Sequence, residues 1–203
     1  MTGFTLHALH NSLGAEVRGL DLSQPLDAAT RDALVQAWVD HLILLFRDQE
    51  LTPDSQRQFC EQFGPLGGRL RKAEDRPEGT EAENIMLVTN VRKNGVPIGS
   101  LPDGEMFFHH DKCYAEEPDW GTMLYAMEVT RVGGHTLFAN MYDAWDTLSD
   151  DLKAKIDGRK VLHIYKYLPT ERVDLKDGID SYDHRWQPIV ITHPKSGRRA
   201  LYV

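Results

Sequence analysis

A histidine and an aspartate lie two residues apart near the middle of the chain, behind two phenylalanines, in Phe107-Phe108-His109-His110-Asp111. Side chains at i and i+2 of an extended strand project from the same face. His109 and Asp111 can therefore point into one cavity, with His110 directed away. An imidazole nitrogen and a carboxylate oxygen are two of the three ligands in the 2-His-1-carboxylate triad of non-haem Fe(II) oxygenases. The third ligand, a second histidine, must come from elsewhere.

His-x-Asp is a short pattern of common residues, and most of the nine histidines are expected to be ordinary surface or core hydrogen-bonding groups. The surroundings of the pair favour a metal site. Two aromatic residues precede it, a long loop lies before it and an apolar segment follows it, which suits the rim of a pocket.

The composition narrows the class of protein. A length of 203 residues indicates one domain and at most two, and 41% hydrophobic with 27% charged residues is typical of a soluble globular chain. The net charge of −8 disfavours general binding to nucleic acid or to an anionic membrane. Cys60 and Cys113 do not form a CxxC pair, and the N-terminus lacks a signal-peptide pattern. We therefore expect a cytoplasmic protein with reduced cysteines.

The elements that must position the pair are short strands with a few helices. Helix starts are predicted at Asp27, at Thr52-Pro53, near 143 and at Ser149. Strands are predicted at 4–6, 15–18, 42–46, 85–91, 122–129, 135–140, 161–165, 189–191 and 200–203. The apolar run 42–46 is expected to be a buried central strand, and 122–129 with 135–140 to form a hairpin across Gly133-Gly134. Segments 65–84, 92–104 and 168–186 are predicted to be loops. Many short strands between turns favour a β-rich sandwich or jelly roll.

Five ordered segments resemble the taurine dioxygenase / 2,4-dichlorophenoxyacetate dioxygenase (TauD/TfdA) family of Fe(II)- and 2-oxoglutarate-dependent enzymes. The segment Phe108-His109-His110-Asp111 resembles the iron-binding motif of that family. The other four are 19–26, 44–66 with its Phe-Gly-Pro-Leu end, Gly133-Gly134-His135-Thr136, and 192–203. The resemblance covers essentially the whole chain.

The resemblance implies a β-rich α+β fold, a double-stranded β-helix (jelly roll, cupin-like) with flanking helices, as a single domain over 1–203. It implies that His109 and Asp111 ligate iron and that the Thr136 hydroxyl binds a carboxylate of 2-oxoglutarate. The residues it places beside the substrate are Arg69, Lys72, Phe108 and Tyr165. Alternative interpretations stay open: Thr136 as an ordinary strand threonine, Tyr165 as core, and the two cations as a solvated turn.

The sequence also departs from the family. His135 stands where the family often has aspartate, and Glu105 stands where the taurine enzyme has an amide that helps hold its substrate. Taurine is therefore disfavoured as the substrate. Besides His135, three histidines follow Asp111 without matching the distal ligand motif of the family: His163, His184 and His193. The second iron-binding histidine and the arginine for 2-oxoglutarate are expected beyond Val203, in a longer protein.

The function implied by the resemblance is hydroxylation of a small anionic organic substrate of the sulfonate, carboxylate or aryloxyalkanoate class. Fe(II), 2-oxoglutarate and dioxygen would be required, and succinate and carbon dioxide released. No nucleic acid or membrane partner is expected, and a homo-oligomer is left open. Two alternatives remain. One is a zinc enzyme on a β scaffold. The other is an inactive binding or assembly unit that lacks the third metal ligand.

Overall fold

The computed structural model of the protein describes residues 3–68, 84–99, 107–165, 176 and 178–203. The chain divides into two compact units. The first contains residues 1–6, 17–35 and 46–106, and the second contains 7–16, 36–45 and 107–203. A single domain over the whole chain remains a prediction.

The N-terminal part forms a three-stranded sheet in the order β1-β2-β3, from β1 (Thr5–Ala8), β2 (Ala15–Arg18) and β3 (Leu44–Phe46). The first two strands were predicted from their alternating pattern and are confirmed. The prediction of a buried central strand at 42–46 is wrong in two respects. Leu42 has a φ of 67°, which delays the strand to Leu44. Within the described sheet, β3 lies at an edge and is only half-buried, and β2 is the middle strand.

Two helices begin where capping residues predict them. Asp27 accepts a hydrogen bond from a backbone N–H three residues later, at the start of α1 (Ala28–His41). Thr52 caps α2 (Pro53–Glu61), and its side chain and that of Ser55 each accept from the backbone N–H of the other. Both predicted helix starts are confirmed. In the first unit, the Phe59 ring of α2 is 7% exposed and packs against two other phenylalanine rings, Phe46 and Phe63.

A short hairpin replaces a predicted loop. Strands β4 (Arg92–Lys93) and β5 (Val96–Pro97) pair antiparallel across Asn94 and Gly95, whose φ angles are 53° and 80°. Two consecutive positive φ values at Asn-Gly are the signature of a type I′ turn. The prediction of a strand at 85–91 is wrong, and so is that of a loop throughout 92–104. The Asn-Gly turn starts strand pairing at its own flanks. Residues 85–91 belong to no strand in the described chain, and the Val91 carbonyl accepts from the Ile98 backbone N–H at 3.1 Å, beside the hairpin.

From residue 141 onward, the described part of the second unit contains two α-helices and two pairs of antiparallel strands. Their bounds are α3 (Met141–Asp146), α4 (Asp150–Ile156), β6 (Lys160–Ile164), β7 (His184–Pro188), β8 (Val190–Thr192) and β9 (Arg199–Leu201). Strand β6 pairs with β7 and β8 pairs with β9. Ser149 caps α4 as predicted. Strand β7 begins inside the predicted loop 168–186, so the loop prediction is wrong there. The polar sequence of the strand, His-Arg-Trp-Gln, carries no apolar strand pattern.

Two further strand predictions are wrong. Segments 122–129 and 135–140 join no sheet in the described part of the chain, so the predicted hairpin is not formed there. Their apolar side chains are exposed: Leu124 is 65%, Met127 77% and Val129 82% exposed. Apolar and β-branched composition predicts a strand locally, but a strand forms only when a partner completes its backbone hydrogen bonds.

One buried cluster of the second unit lies between α3 and β9. Tyr142 and Trp145 of α3 are 5% and 8% exposed, and Ala200 of β9 is 8% exposed. The Arg198 guanidinium lies 4.2 Å from the centre of the Tyr142 ring, and that of Arg199 lies 4.3 Å from Trp145. The cations cover aromatic faces that would otherwise be open to water, in contacts of cation–π geometry.

The combination of helices with mainly antiparallel sheets confirms the α+β class. The finer prediction, a jelly roll, remains a prediction. In the described part of the chain, none of the helices combines the length and apolar character needed to cross a membrane.

A pH dependence of stability is expected from His193. Burial lowers the pKa of His193 from its ordinary value of 6.5, and Lys195 lowers it further. The Nδ1 atom of the ring accepts a hydrogen bond from the Ser196 backbone N–H at 3.2 Å, which favours the neutral ring. Below about pH 6.5 the unfolded chain binds this proton more readily than the folded chain does, so the free energy of unfolding should fall as the pH falls.

Urea unfolding measured between about pH 5 and 8 checks this expectation. His193→Gln should make the loss of stability toward low pH shallower, whereas His135→Gln, at an exposed position, should leave it unchanged. An unchanged profile in His193→Gln would contradict the assignment.

Candidate metal site

The structure brings the His109 and Asp111 side chains together. Atom Nε2 of His109 lies 3.3 Å from Oδ1 of Asp111, and both side chains are half-exposed. A turn follows the pair. Lys112 has a φ of 50°, and its carbonyl accepts from the Ala115 backbone N–H at 2.9 Å. The two side chains converge as the sequence predicts.

The hydrogen bond made by the other ring nitrogen of His109 determines which nitrogen carries the hydrogen. Nδ1 lies 2.8 Å from the backbone oxygen of Phe107. A carbonyl oxygen can only accept, so Nδ1 carries the hydrogen and the neutral ring keeps its lone pair on Nε2. Histidines that ligate metals are commonly oriented by such a hydrogen bond from the second nitrogen.

The pair has dimensions suited to two neighbouring ligands of one ion. Two atoms about 2.1 Å from an ion, at right angles to each other, are about 3.0 Å apart. The observed 3.3 Å between Nε2 of His109 and Oδ1 of Asp111 is close to this value. One neutral nitrogen and one carboxylate oxygen match the donor set of a non-haem iron site.

The second carboxylate oxygen of Asp111 has its own partner. The Thr122 hydroxyl donates to Oδ2 of Asp111 at 2.7 Å. Nothing local in the sequence marks Thr122, eleven positions away, as a partner of Asp111. In the described residues, no third His, Cys, Asp or Glu completes a metal-binding group with the pair.

His110, which the sequence predicts to be directed away from the pair, is half-buried. Its ring packs on Tyr202, with the ring centres 4.7 Å apart, and Tyr202 in turn meets His163 at 5.4 Å. Burial lowers the pKa of His110, and the nearby His163 lowers it further. Burial also lowers the pKa of His163, whose buried Nε2 has no hydrogen-bond partner among the described residues. These contacts indicate a packing role for His110.

Within the described residues, Thr136 forms no hydrogen bond or ion pair with His109 or Asp111. Thr136 is exposed, two residues after the predicted Gly133-Gly134 turn, whose φ angles are 76° and 67°. Phe108 is 69% exposed. Tyr165 is half-buried, with its ring centre 4.7 Å from that of Tyr114. Arg69, Lys72 and Glu105 lie outside the described residues.

Two tryptophans anchor the segment that carries Thr122. The Trp120 ring packs against Trp38 of α1, with the ring centres 5.0 Å apart, and the Trp38 indole N–H donates to the Leu42 carbonyl. Gly121 lies so close to the Trp38 ring that a β-carbon at this position would overlap it. We refer to Trp38, Trp120 and Gly121 as the tryptophan clamp.

Gly121→Ala should therefore destabilise the protein. Overpacking of this kind costs about 1–3 kcal/mol, since the Trp38 ring must move to admit the methyl group. The matched control is Gly68→Ala, where a β-carbon would meet nothing within 4 Å. Urea unfolding of the two variants gives the comparison, and equal stabilities would show that the ring moves without cost.

Comparison with known proteins places the chain in a family. Residues 5–203 match the model of the taurine catabolism dioxygenase TauD, TfdA family. The chain is 29% identical to an (S)-phenoxypropionate/alpha-ketoglutarate-dioxygenase of Sphingobium herbicidovorans, over 98% of this chain and 70% of that protein. It is also 29% identical to an alpha-ketoglutarate-dependent 2,4-dichlorophenoxyacetate dioxygenase of Cupriavidus pinatubonensis, over 96% of this chain and 71% of that protein.

Solved structures agree in fold. The crystal structure of a taurine dioxygenase from Burkholderia xenovorans superposes with a TM-score of 0.73 at 24% identity, covering 98% of this chain and 62% of that chain. The chain thus spans between three-fifths and three-quarters of the length of these relatives.

The match over residues 5–203 decides the family, and the relatives named above confirm the predicted enzyme class, 2-oxoglutarate-dependent dioxygenase, at the level of that family. The chain belongs to the TauD, TfdA family of taurine catabolism dioxygenases.

Proposed function

We propose that the protein is an Fe(II)- and 2-oxoglutarate-dependent dioxygenase that hydroxylates a small anionic organic substrate. One observation carries the proposal: in a chain of this family, Nε2 of His109 and Oδ1 of Asp111 face each other at 3.3 Å with their other polar atoms already occupied. His109 and Asp111 are the proposed iron ligands.

The electrostatics of the pair support a cation. With the hydrogen of His109 on Nδ1, a lone pair on Nε2 faces a negatively charged oxygen of Asp111, and two acceptors at this distance repel each other. A divalent ion bound by both atoms relieves the repulsion. A proton on Nε2 would relieve it too, so metal titration is the direct test.

The residues of the chain bind and orient the reactants. His109 supplies a neutral donor, and Asp111 offsets one of the two positive charges of the ion. When bound, Fe(II) supplies the redox chemistry by which dioxygen and 2-oxoglutarate are consumed, with succinate and carbon dioxide as products. Thr136 is proposed to bind a carboxylate of 2-oxoglutarate through its hydroxyl, which its exposed position leaves accessible.

The proposed substrate is an anion of the aryloxyalkanoate, carboxylate or sulfonate class. Relatives are named for phenoxypropionate, 2,4-dichlorophenoxyacetate and sulfate esters, each of which carries an anionic group. Arg69 and Lys72 are proposed to bind that group, since a guanidinium fork suits a carboxylate or sulfonate. Phe108 and Tyr165 are proposed to contact the apolar part. The exposed ring of Phe108 supports this role.

The test has two steps. Anaerobic calorimetry should first detect binding of Fe(II) to the chain, weaker than at a three-ligand site because the described residues supply two ligands, followed by 2-oxoglutarate. Succinate formation is then measured with a set of aryloxyalkanoates, sulfonates and sulfate esters, in the presence of dioxygen. We expect succinate to depend on both Fe(II) and 2-oxoglutarate and to increase with at least one anionic compound.

Other outcomes separate the alternatives. Binding of Zn²⁺ with hydrolysis, and no dependence on 2-oxoglutarate, would favour a zinc enzyme. Binding of neither Fe(II) nor 2-oxoglutarate would favour a binding or assembly unit. Succinate formation that no anionic compound stimulates would contradict the substrate class alone.

A further inference from the structure

Thr122 holds one oxygen of the Asp111 carboxylate and leaves the other open. Its hydroxyl donates to Oδ2 at 2.7 Å, while Oδ1 faces Nε2 of His109 at 3.3 Å. A carboxylate can bind an ion through one oxygen or through both. A hydroxyl hydrogen bonded to Oδ2 competes with an ion for that oxygen, so it favours binding through Oδ1 alone.

The number of Asp111 oxygens that bind the ion determines how many of its coordination positions stay open. A bidentate carboxylate would occupy one of the positions that a facial triad leaves open for co-substrate and dioxygen. Binding through Oδ1 alone preserves that position. The side chain of Thr122 thus affects how many coordination positions of the ion stay open when Asp111 binds it.

The tryptophan clamp defined above fixes the backbone just before Thr122. Trp120 packs on Trp38, Gly121 lies against the Trp38 ring, and the Lys195 ammonium lies 4.9 Å from the Trp120 ring centre. The segment that carries Asp111 is held as well. A turn follows Asp111, and the Lys112 ammonium pairs with the Asp119 carboxylate at 3.0 Å. The Thr122 hydroxyl therefore reaches Asp111 from an anchored segment, as a preorganised site requires.

We propose that Thr122 is a positioning residue of the metal site, which orients the Asp111 carboxylate and keeps it monodentate. This inference rests on the proposed function, because it assigns Thr122 a role only if Asp111 is a ligand. Thr122 acts through Asp111 and does not itself touch the ion.

The test uses the full 203-residue chain with Co²⁺ as the probe ion, whose visible absorption reports its coordination. Thr122→Val keeps the shape of the side chain and removes the hydroxyl. It should weaken Co²⁺ binding by about 10–100-fold and change the absorption of the bound ion, as loss of an outer hydrogen bond to a ligand does. Thr122→Ser retains the hydroxyl, so its Co²⁺ affinity should lie within about threefold of that of the unmodified chain, with the same absorption of the bound ion. Thr192→Val, at an exposed position of β8, is the matched control and should match the unmodified chain.

The outcomes separate this inference from the proposed function. If Thr122→Val binds Co²⁺ with unchanged affinity and absorption while Asp111→Asn loses binding, the role of Thr122 is wrong and the metal site stands. If Asp111→Asn also leaves Co²⁺ binding unchanged, both are wrong. Circular dichroism checks that each variant is folded, and Thr122→Ala replaces Thr122→Val in the comparison if the valine variant does not fold.

Discussion

Asp111→Asn is expected to abolish specific binding of a divalent ion by the chain. Asparagine keeps an oxygen that can accept from the Thr122 hydroxyl, so the turn should keep its shape while the negative charge is lost. Outer-shell changes alone cost about 10–100-fold in metal affinity, so loss of a charged ligand should cost at least about 100-fold. Calorimetric titration with Fe(II) under anaerobic conditions, or with Mn²⁺ in air, measures the effect.

The matched control for Asp111→Asn is Glu117→Gln, which removes one negative charge from an exposed position six residues later. It should change the affinity for the ion by less than about threefold, since salt largely screens a solvent-exposed charge that does not contact the ion. Equal losses in the two variants would mean that the ion responds to the overall charge of the segment and not to a ligand.

Trp145→Ala is expected to be among the most destabilising single substitutions in the second unit. The Trp145 ring is 8% exposed, and the side chains of Arg199 and Lys153 cover its faces at 4.3 and 5.5 Å from the ring centre. Truncation of a buried tryptophan costs about 3–5 kcal/mol through lost burial and the cavity left behind. That is a large part of the stability of an ordinary domain.

Trp186→Ala supplies the matched control for Trp145→Ala. Trp186 lies in β7 and is 56% exposed, so its removal should change the free energy of unfolding by about 1 kcal/mol or less. Urea unfolding followed by circular dichroism compares the two variants. A Trp145 variant that is unfolded without urea agrees with the expectation, whereas similar small losses in both would contradict the burial of Trp145.

The helix starts could be predicted because their causes are local. Thr52 and Ser149 are each followed within three residues by the backbone N–H that they cap, so a window of a few residues contains the whole interaction. The strands were harder. Segment 122–129 has strand composition but belongs to no strand in the described chain, whereas β7 has polar composition and pairs with β6. Pairing is decided by distant residues, which a local pattern does not contain.

The candidate site shows the same division. His109 and Asp111 are two residues apart, and the i, i+2 spacing of an extended segment predicts the approach that the structure shows. Thr122 could not be found in this way. Its contact with Asp111 depends on the course of the chain through residues 112–121 and on the fit of Gly121 against Trp38, which lies in α1.

The packing of Trp38 on Trp120 has an optical consequence. Two indoles with ring centres 5.0 Å apart and planes inclined at 45° are close enough for their electronic transitions to couple. Such a pair produces an exciton couplet in circular dichroism, which disappears when either ring is replaced. The chain has four tryptophans, and this pair lies beside the segment that carries Thr122. The couplet would thus be a built-in spectroscopic signal of whether that segment stays anchored as ions are titrated.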